Sequence, residues 1–398
     1  MTEKIRTLVI ERNGPGWQTT LFDTVWDGFF RLPRSIKLPP ILGQTHLGSL
    51  FQKAITGAYE YLSYVRDWRD ALLREPRLDV TLCSMSNLVD FYSKRKLFKE
   101  ADLIIILHSA MGDDLDGLLK NSGLFEQRRG KLVTCVGNEY DQMGEKVRFI
   151  KESGTDYIVS QLTKETAEWL YADCDGSEVL CLPHALNPTL YKPVPLLERK
   201  YDIGFIGSLY PNFIGDTERN DFILKMEKES AHYNLKSYFR YATVEKGMWA
   251  TRLQGFAAIV GGEAGSYYLD RSGALLASAK KWEEQHRNCS FDDLWQTFFK
   301  SPREDVKTGK AISSRHFEPI GTKTCQILIE GDYNGILKAD EHYISIKKDY
   351  SNLDEAIEQF KDEHYRQRIV EQAYEYVISN HTYAYRINSL IDSVFGSL

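Results

Sequence analysis

The segment Ser314-Arg315-His316-Phe317-Glu318-Pro319-Ile320-Gly321-Thr322-Lys323 brings together more reactive groups than any other stretch of the chain. An arginine can fork onto phosphate oxygens, amides at a helix start favour anions, and a carboxylate can accept both hydroxyls of a ribose. The alternative is a surface helix of mixed charge. Gly204-Phe205-Ile206-Gly207-Ser208 ends an apolar run with a glycine that permits close backbone approach. Neither it nor Gly261-Gly262-Glu263-Ala264-Gly265 completes a dinucleotide fingerprint, which disfavours a nicotinamide enzyme. His108 follows the apolar run 102–107, and Gly137-Asn138-Glu139-Tyr140-Asp141 follows the run 131–136. His108, Glu139 and Asp141 are candidates for a general base or for gripping sugar hydroxyls, against helix capping and loop solvation. Asn13-Gly14-Pro15-Gly16 is either an ordinary turn or a backbone, at Gly16, that lies against a ligand. Asp114-Leu115-Asp116 has the spacing of a metal-binding acid pair, but it opens a predicted helix, where capping is the preferred reading.

These residues sit just after predicted strands. The first half alternates strands at 5–11, 78–83, 102–107, 131–136, 156–160 and 178–183 with helices at 50–73, 88–98, around 145–151, and at 163–171, the last with Thr163 as its cap. The stretch from Gly16 to about residue 45 shows no clear period. A Pro-rich segment, 183–195, marks a boundary. A second alternation has strands at 202–207, 237–242, 307–313, 325–329 and 343–347, and helices at 221–233, 275–286, 317–323, 353–360, 365–378 and 385–394. Residues 243–300 read as an insertion. Nearly all-apolar strands alternating with helices imply parallel sheets covered on both faces. Ligands bind beyond the carboxyl ends of such strands, and two such sheets facing across a cleft suit group transfer with water excluded.

The chain has 398 residues, 42% apolar and 27% charged, which fits two globular domains and excludes wholesale disorder. With 50 basic and 56 acidic residues the net charge is −6, and no basic tail calls for nucleic acid. The longest apolar run, 103–107, falls far short of the roughly 20 residues of a membrane span. No signal-peptide core opens the sequence. Six scattered cysteines without a CxxC pair point to free thiols in a reducing cytoplasm and give zinc little support.

The order and spacing of three short motifs carry a resemblance. RHFEPIGTKTCQIL (315–328), YISIKKDYSNLDEAI (343–357) and His381-Thr382-Tyr383 with Arg386, together with LPHALNPTLYKP (182–193) and YDIGFIGSLYP (201–211), resemble the spore-maturation, CgeB-like branch of the group-1 glycosyltransferases. The resemblance covers the C-terminal half in motifs and the N-terminal half in architecture only. It implies an α/β GT-B fold of two Rossmann-like domains facing across a cleft. One would be an acceptor-side domain over 1–192 with a crossover helix at 384–398, the other a donor domain over 193–383. It implies transfer of a sugar from a nucleotide-diphosphate donor to an acceptor hydroxyl, in surface polysaccharide or glycoconjugate synthesis, without metal and with no cofactor. The acceptor would be a glycan, lipid-linked or protein-linked, with room for peripheral association at the inner membrane, although no docking face is legible. By position, Glu318 would bind the donor ribose and Arg315 a phosphate. Gly321 and Thr322 would lie near the diphosphate or the helix start, with Gly207 and Ser208 at the cleft. One departure stands out: Lys310 and Ala311 occupy the places where retaining relatives carry a first glutamate. That keeps open a nucleotide-sugar 2-epimerase and a catalytically silent scaffold or coat protein, and it moves the search for a base to His108, Glu139 and Asp141.

Overall fold

The computed structural model describes residues 3–14, 16–30, 63–194, 199–242, 244, 246–301 and 303–396. Chain contacts divide it into two units: Met1–Ser160, Tyr171–Leu180 and Leu390–Leu398 in the first, Gln161–Leu170 and Cys181–Ser389 in the second.

The first unit is built on a six-stranded sheet of β1 (Ile5–Glu11), β2 (Leu78–Ser84), β3 (Leu103–Ile106), β4 (Lys131–Cys135), β5 (Tyr157–Ser160) and β6 (Glu178–Cys181), in the order β2-β1-β3-β4-β5-β6. The pairs β2–β1, β1–β3, β3–β4 and β4–β5 are parallel. The four residues of β3 are wholly buried, as a strand covered on both faces must be. Edge-to-face rings, Phe91–Phe98–Phe125–Phe149 at centroid spacings of 5.9, 5.2 and 5.4 Å, tie the helices beneath the sheet together. The helix expected over 50–73 is seen as Ser63–Arg74, its first part lying outside the described residues. The helix expected over 88–98 breaks in two, Leu88–Ser93 and Leu97–Glu100. At the break, Lys94 turns its ammonium back to the Leu82 carbonyl and to Asp90.

The second unit holds β7 (Tyr201–Ile206), β8 (Ser237–Arg240), β9 (Phe256–Gly261), β10 (Leu269–Asp270), β11 (Val306–Lys307), β12 (Cys325–Ile329) and β13 (Ile344–Ile346). Five of them form a parallel sheet in the order β13-β12-β9-β7-β8. Numbered by the strands within each sheet, the first runs 2-1-3-4-5-6 and the second 2-1-3-4-5, so each has its topological switch point beside its first strand, between β1 and β3 and between β7 and β9.

Two expectations are corrected here. Residues 243–300 are no mere insertion, because 256–261 is the central strand β9. Its Phe-Ala-Ala start hides the usual β-branched signature, and it packs because Gly204 on β7 has no Cβ, which would lie 2.4 Å from the Phe256 ring. Residues 307–313 do not continue the parallel sheet. Val306–Lys307 pairs antiparallel with Leu269–Asp270, and Ala311 bridges Ala264, making a separate ribbon. The polar run Lys-Thr-Gly-Lys has no faces for a doubly buried strand, and Gly309 lies against Leu269 where a Cβ would be 2.2 Å away. The true insertion is the pair of helices between β10 and β11, Ala274–Gln285 and Phe291–Phe298.

The motif at 381–386 has a structural use within this unit. Leu186 donates its amide to the His381 carbonyl at 2.9 Å and accepts from the Tyr383 amide at 3.0 Å. Arg386 donates from Nε to the Pro183 carbonyl at 2.9 Å and from Nη2 to His381 Nδ1 at 3.0 Å. The Pro-rich segment is thereby clamped to the C-terminal motif.

Candidate functional site

The carboxyl ends of β7 and β9 meet the start of helix Ser314–Gly321 in the second unit. The helix begins in a capping arrangement: Ser313 donates its amide to His316 Nδ1 at 2.9 Å. Nδ1 therefore accepts, and Nε2–H donates to the Gly262 carbonyl at 3.1 Å, bolting the helix start to the end of β9. Burial, with a smaller push from Arg219 and Arg315, lowers His316 to about 4, so the ring is neutral at pH 7.

Arg315 and Glu318, three residues apart, share one face of this helix and one partner, Trp249. The Arg315 guanidinium lies over the Trp249 ring at 4.2 Å, while Trp249 Nε1–H donates to Glu318 Oε2 at 2.6 Å. Glu318 is almost wholly buried, whereas Arg315 is exposed. A Cβ on Gly207 would lie 3.2 Å from Arg315 Nη2, so the glycine gives the guanidinium its room, and Ser208 beside it is exposed.

A second guanidinium joins the first. Arg219, in the first turn of helix Glu218–Glu229, lies over Tyr210 at 4.3 Å and Phe205 at 5.3 Å. Its Nη1 is buried with no hydrogen-bond partner among the described residues. Burial, and after it the Arg315 charge, pull its pKa down. Sequence reasoning missed Arg219: the expected helix began at 221, and the first turn also carries Glu218 and Asp221, so no excess cation marked the place. In the sequence Lys310 marks only a departure from the family pattern. It is buried in an ion pair with Asp216 and lies 4.6 Å over the Tyr267 ring. Nearby Glu263 accepts from the Tyr333 amide at 2.7 Å, and burial raises its pKa.

Gly321 and Thr322 are not brought to this cluster. They lie at the far end of the helix, about 10 Å away for eight residues. A Cβ on Gly321 would stand 2.5 Å from Leu186 Cδ1 and 2.7 Å from the Tyr191 carbonyl, and the Thr322 hydroxyl donates to the Pro319 carbonyl at 3.0 Å. Gly321 serves packing against the Pro-rich segment, and Thr322 closes the end of its own helix.

In the first unit His108, Glu139 and Asp141 gather at the ends of β3 and β4, where a Cβ on Gly137 would lie 2.9 Å from the His108 carbonyl oxygen. His108 is buried beside Trp68 and Tyr64, and burial alone pushes it down to about 3. Glu139 accepts from Ser160 Oγ at 2.6 Å and from the Tyr171 hydroxyl at 2.7 Å. Buried Lys146 donates to the carbonyls of Gly137, Asn138 and Asp141 at 2.6, 2.9 and 2.7 Å. Asn138 and Gln142 have φ of 46° and 52°, left-handed values that for Gln142 carry strain, and both side chains hold Asp113. Asp141 is part-exposed. Gly16, with φ 84°, spends its amide on Asp114 Oδ2 at 2.8 Å, which also accepts from Arg12. Asp114 Oδ1 accepts the Asp116 amide at 3.1 Å, so the acid pair caps its helix, and Asp116 faces solvent beside Lys120. Among the described residues no group of three His, Cys, Asp or Glu is placed to hold a metal.

A family model described as glycosyl transferase-like matches residues 267–392. No curated protein matches the chain. Among solved structures, an alpha-glucosyltransferase in complex with UDP-glucose and DNA containing an abasic site aligns at TM-score 0.52 and 10% identity, over 98% of this chain and 100% of that one. An alpha-glucosyltransferase in complex with UDP and a 13-mer DNA aligns at 0.51 and 12%, over 98% and 100%. Sucrose-phosphate synthase from Thermosynechococcus elongatus aligns at 0.49 and 12%, over 98% and 99%. At such identities the likeness is one of fold. The chain has the GT-B fold of two Rossmann-like units, and residues 267–392, which contain the motifs around Arg315, Glu318 and His381, match a glycosyl transferase-like family.

Proposed function

We propose that the chain is a glycosyltransferase of the CgeB-like branch, moving a sugar from a nucleotide-diphosphate donor to an acceptor hydroxyl on a glycan, lipid-linked or protein-linked acceptor. The supporting observation is the guanidinium pair at the switch point of the second unit. Arg219 and Arg315 are each held on aromatic rings, and Arg219 keeps a buried, unpartnered Nη1. Two like charges in such a place are relieved by a bound anion, and a diphosphate is that anion. Its negative charge grows as the sugar–phosphate bond breaks, so the pair favours the transition state over the ground state. The amides at the start of helix Ser314–Gly321 add to the same effect.

Glu318 takes the ribose. A carboxylate can accept about four hydrogen bonds, so one from Trp249 is compatible with others from ribose hydroxyls. The first unit is assigned to the acceptor, with Asp141 as the acid that takes the acceptor proton. His108 is buried against Trp68 and Tyr64, and Glu139 is buried and engaged by Ser160 and Tyr171, whereas Asp141 is part-exposed.

Calorimetric titration with UDP-, GDP-, CDP- and dTDP-sugars tests the reading. One nucleotide class should bind, and Arg315→Ala should raise its Kd by roughly ten- to a hundredfold, the size of a lost charged hydrogen bond. Arg219→Ala should do the same. Binding unchanged in both variants would refute the diphosphate assignment. Donor turnover without any acceptor would turn the reading toward an epimerase.

A further inference from the structure

Exposed large apolar side chains are not scattered evenly over this molecule. Seven of the thirteen among the described residues, Trp17, Leu21, Val25, Phe29, Leu88, Val89 and Tyr92, belong to two adjoining helical segments of the first unit. Trp17 and Phe29 are 69% and 71% exposed. The first four stand four residues apart along Gly16–Asp23 and its π-helical continuation Thr24–Phe30. In an α-helix each four-residue step overshoots a full turn by about 40°, and the wider π-turns take that overshoot back, keeping the stripe on one side. The second segment, Leu88–Ser93, is fastened to the first: the Leu88 amide donates to Thr24 Oγ1 at 3.0 Å, and a Cβ on Gly28 would lie 2.9 Å from Asn87 Oδ1 and 3.1 Å from Val89 Cβ. The two therefore present one continuous face.

Cations border it. Arg95, Lys96 and Lys99 follow Tyr92 and are exposed, with the Arg95 guanidinium 5.1 Å over the Tyr92 ring. Of the neighbouring acids, Asp90 is paired with Lys94 and Asp23 is buried and accepts from Asn13, which leaves Asp27 and Glu100 to set against three cations. Apolar patches of this kind mark an interaction surface. An apolar stripe carrying Trp and Tyr and rimmed by Lys and Arg has the composition of a surface lying in the headgroup layer of an anionic bilayer.

We propose that this face, made by helix 16–30 and helix 88–93, docks the protein on an anionic phospholipid surface. The inference is independent of the donor reading, since neither nucleotide nor sugar enters its test. The full chain is floated with vesicles of phosphatidylcholine alone or with about a third phosphatidylglycerol. Wild type should float with the anionic vesicles and largely stay behind with the neutral ones. Leu21→Ser/Phe29→Ser should weaken binding by roughly tenfold or more, and Arg95→Glu/Lys96→Glu by a similar factor that shrinks at high salt. Both double variants should melt within a degree or two of wild type, because the side chains are exposed. Absence of wild-type flotation overturns the proposal, as does flotation unaffected by either double variant. A concentration-dependent dimer abolished by Leu21→Ser/Phe29→Ser would hand the face to a second copy. A core-sized fall in melting temperature would hand it to a cover from elsewhere in the chain. Either overturns the proposal too.

Discussion

Lys310 stands eight residues before Glu318, where a glutamate was expected, and its ammonium is paired with Asp216. The side chains are 4% and 5% exposed, so water screens the pair little. Lys310→Met strands a buried carboxylate, a loss of about 3–5 kcal/mol in comparable pairs. Asp216 retains one donor, the Glu218 amide at 2.8 Å, which places the expected loss near the lower end, about 3 kcal/mol. Asp216→Asn leaves the ammonium facing the Tyr267 ring, 4.6 Å away, and should cost about 2 kcal/mol. The double variant has no charge to strand, so it should lose only about 1 kcal/mol, leaving a coupling energy of roughly 4 kcal/mol. Urea unfolding read by hydrogen exchange at 256–261 and 325–329 follows the second unit by itself. Single-variant losses below about 1 kcal/mol, or losses that simply add, would refute the claim that the lysine's place is set by its buried partner.

Three further outcomes are expected. Gly321→Ala should destabilise the second unit by about 1–3 kcal/mol, because the Tyr191 backbone cannot retreat; donor affinity at temperatures where the fold is intact should be unchanged, and a large rise in Kd with no loss of stability would restore Gly321 to the diphosphate. His316 stays neutral in the fold down to about pH 4 and protonates near 6.5 when unfolded, so unfolding takes up a proton between those values. Stability should therefore fall as pH drops from about 6.5 toward 4, with His316 contributing up to about 1.4 kcal/mol per pH unit beside His108 and His381, which burial lowers in the same way; urea titrations at pH 7, 6 and 5 should show His316→Asn removing that one share of the slope. Lys146→Met relieves a buried ammonium whose pKa burial lowers to about 8, but leaves three carbonyls without their donor. At about 1–3 kcal/mol per carbonyl the loss wins, so exchange at residues 137–141 should rise by tenfold or more, and unchanged protection would refute the clamp.

The apolar docking face shows most clearly where linear reading stops. Residues 17, 21, 25 and 29 are visible as apolar in the sequence at a constant spacing of four, which drifts by about 40° a step around an α-helix and stays on one side only because the helix changes pitch at Thr24. Its cationic rim arrives from a segment some sixty residues away. No sequence reading can join the two before the chain is folded.

Periodicity by itself determined the α/β class, most strands and helices, and the expectation that chemistry follows strand ends, because a buried parallel strand must be apolar on both faces and a covering helix on one. Arg315 and Glu318 were legible as candidates, but the expected helix began at 317, and only the structure, which starts it at Ser314, sets the two on one face. Tertiary structure alone decided what those residues touch. It set Trp249 between Arg315 and Glu318, brought Arg219 and Lys310 to the same strand ends, and carried Gly321 away to the Pro-rich segment. It also made a central strand of 256–261, whose small residues fit only because Gly204 leaves space for Phe256. The physical reason is common to all four: each depends on the identity of a partner distant in sequence, and local propensity carries no information about that partner.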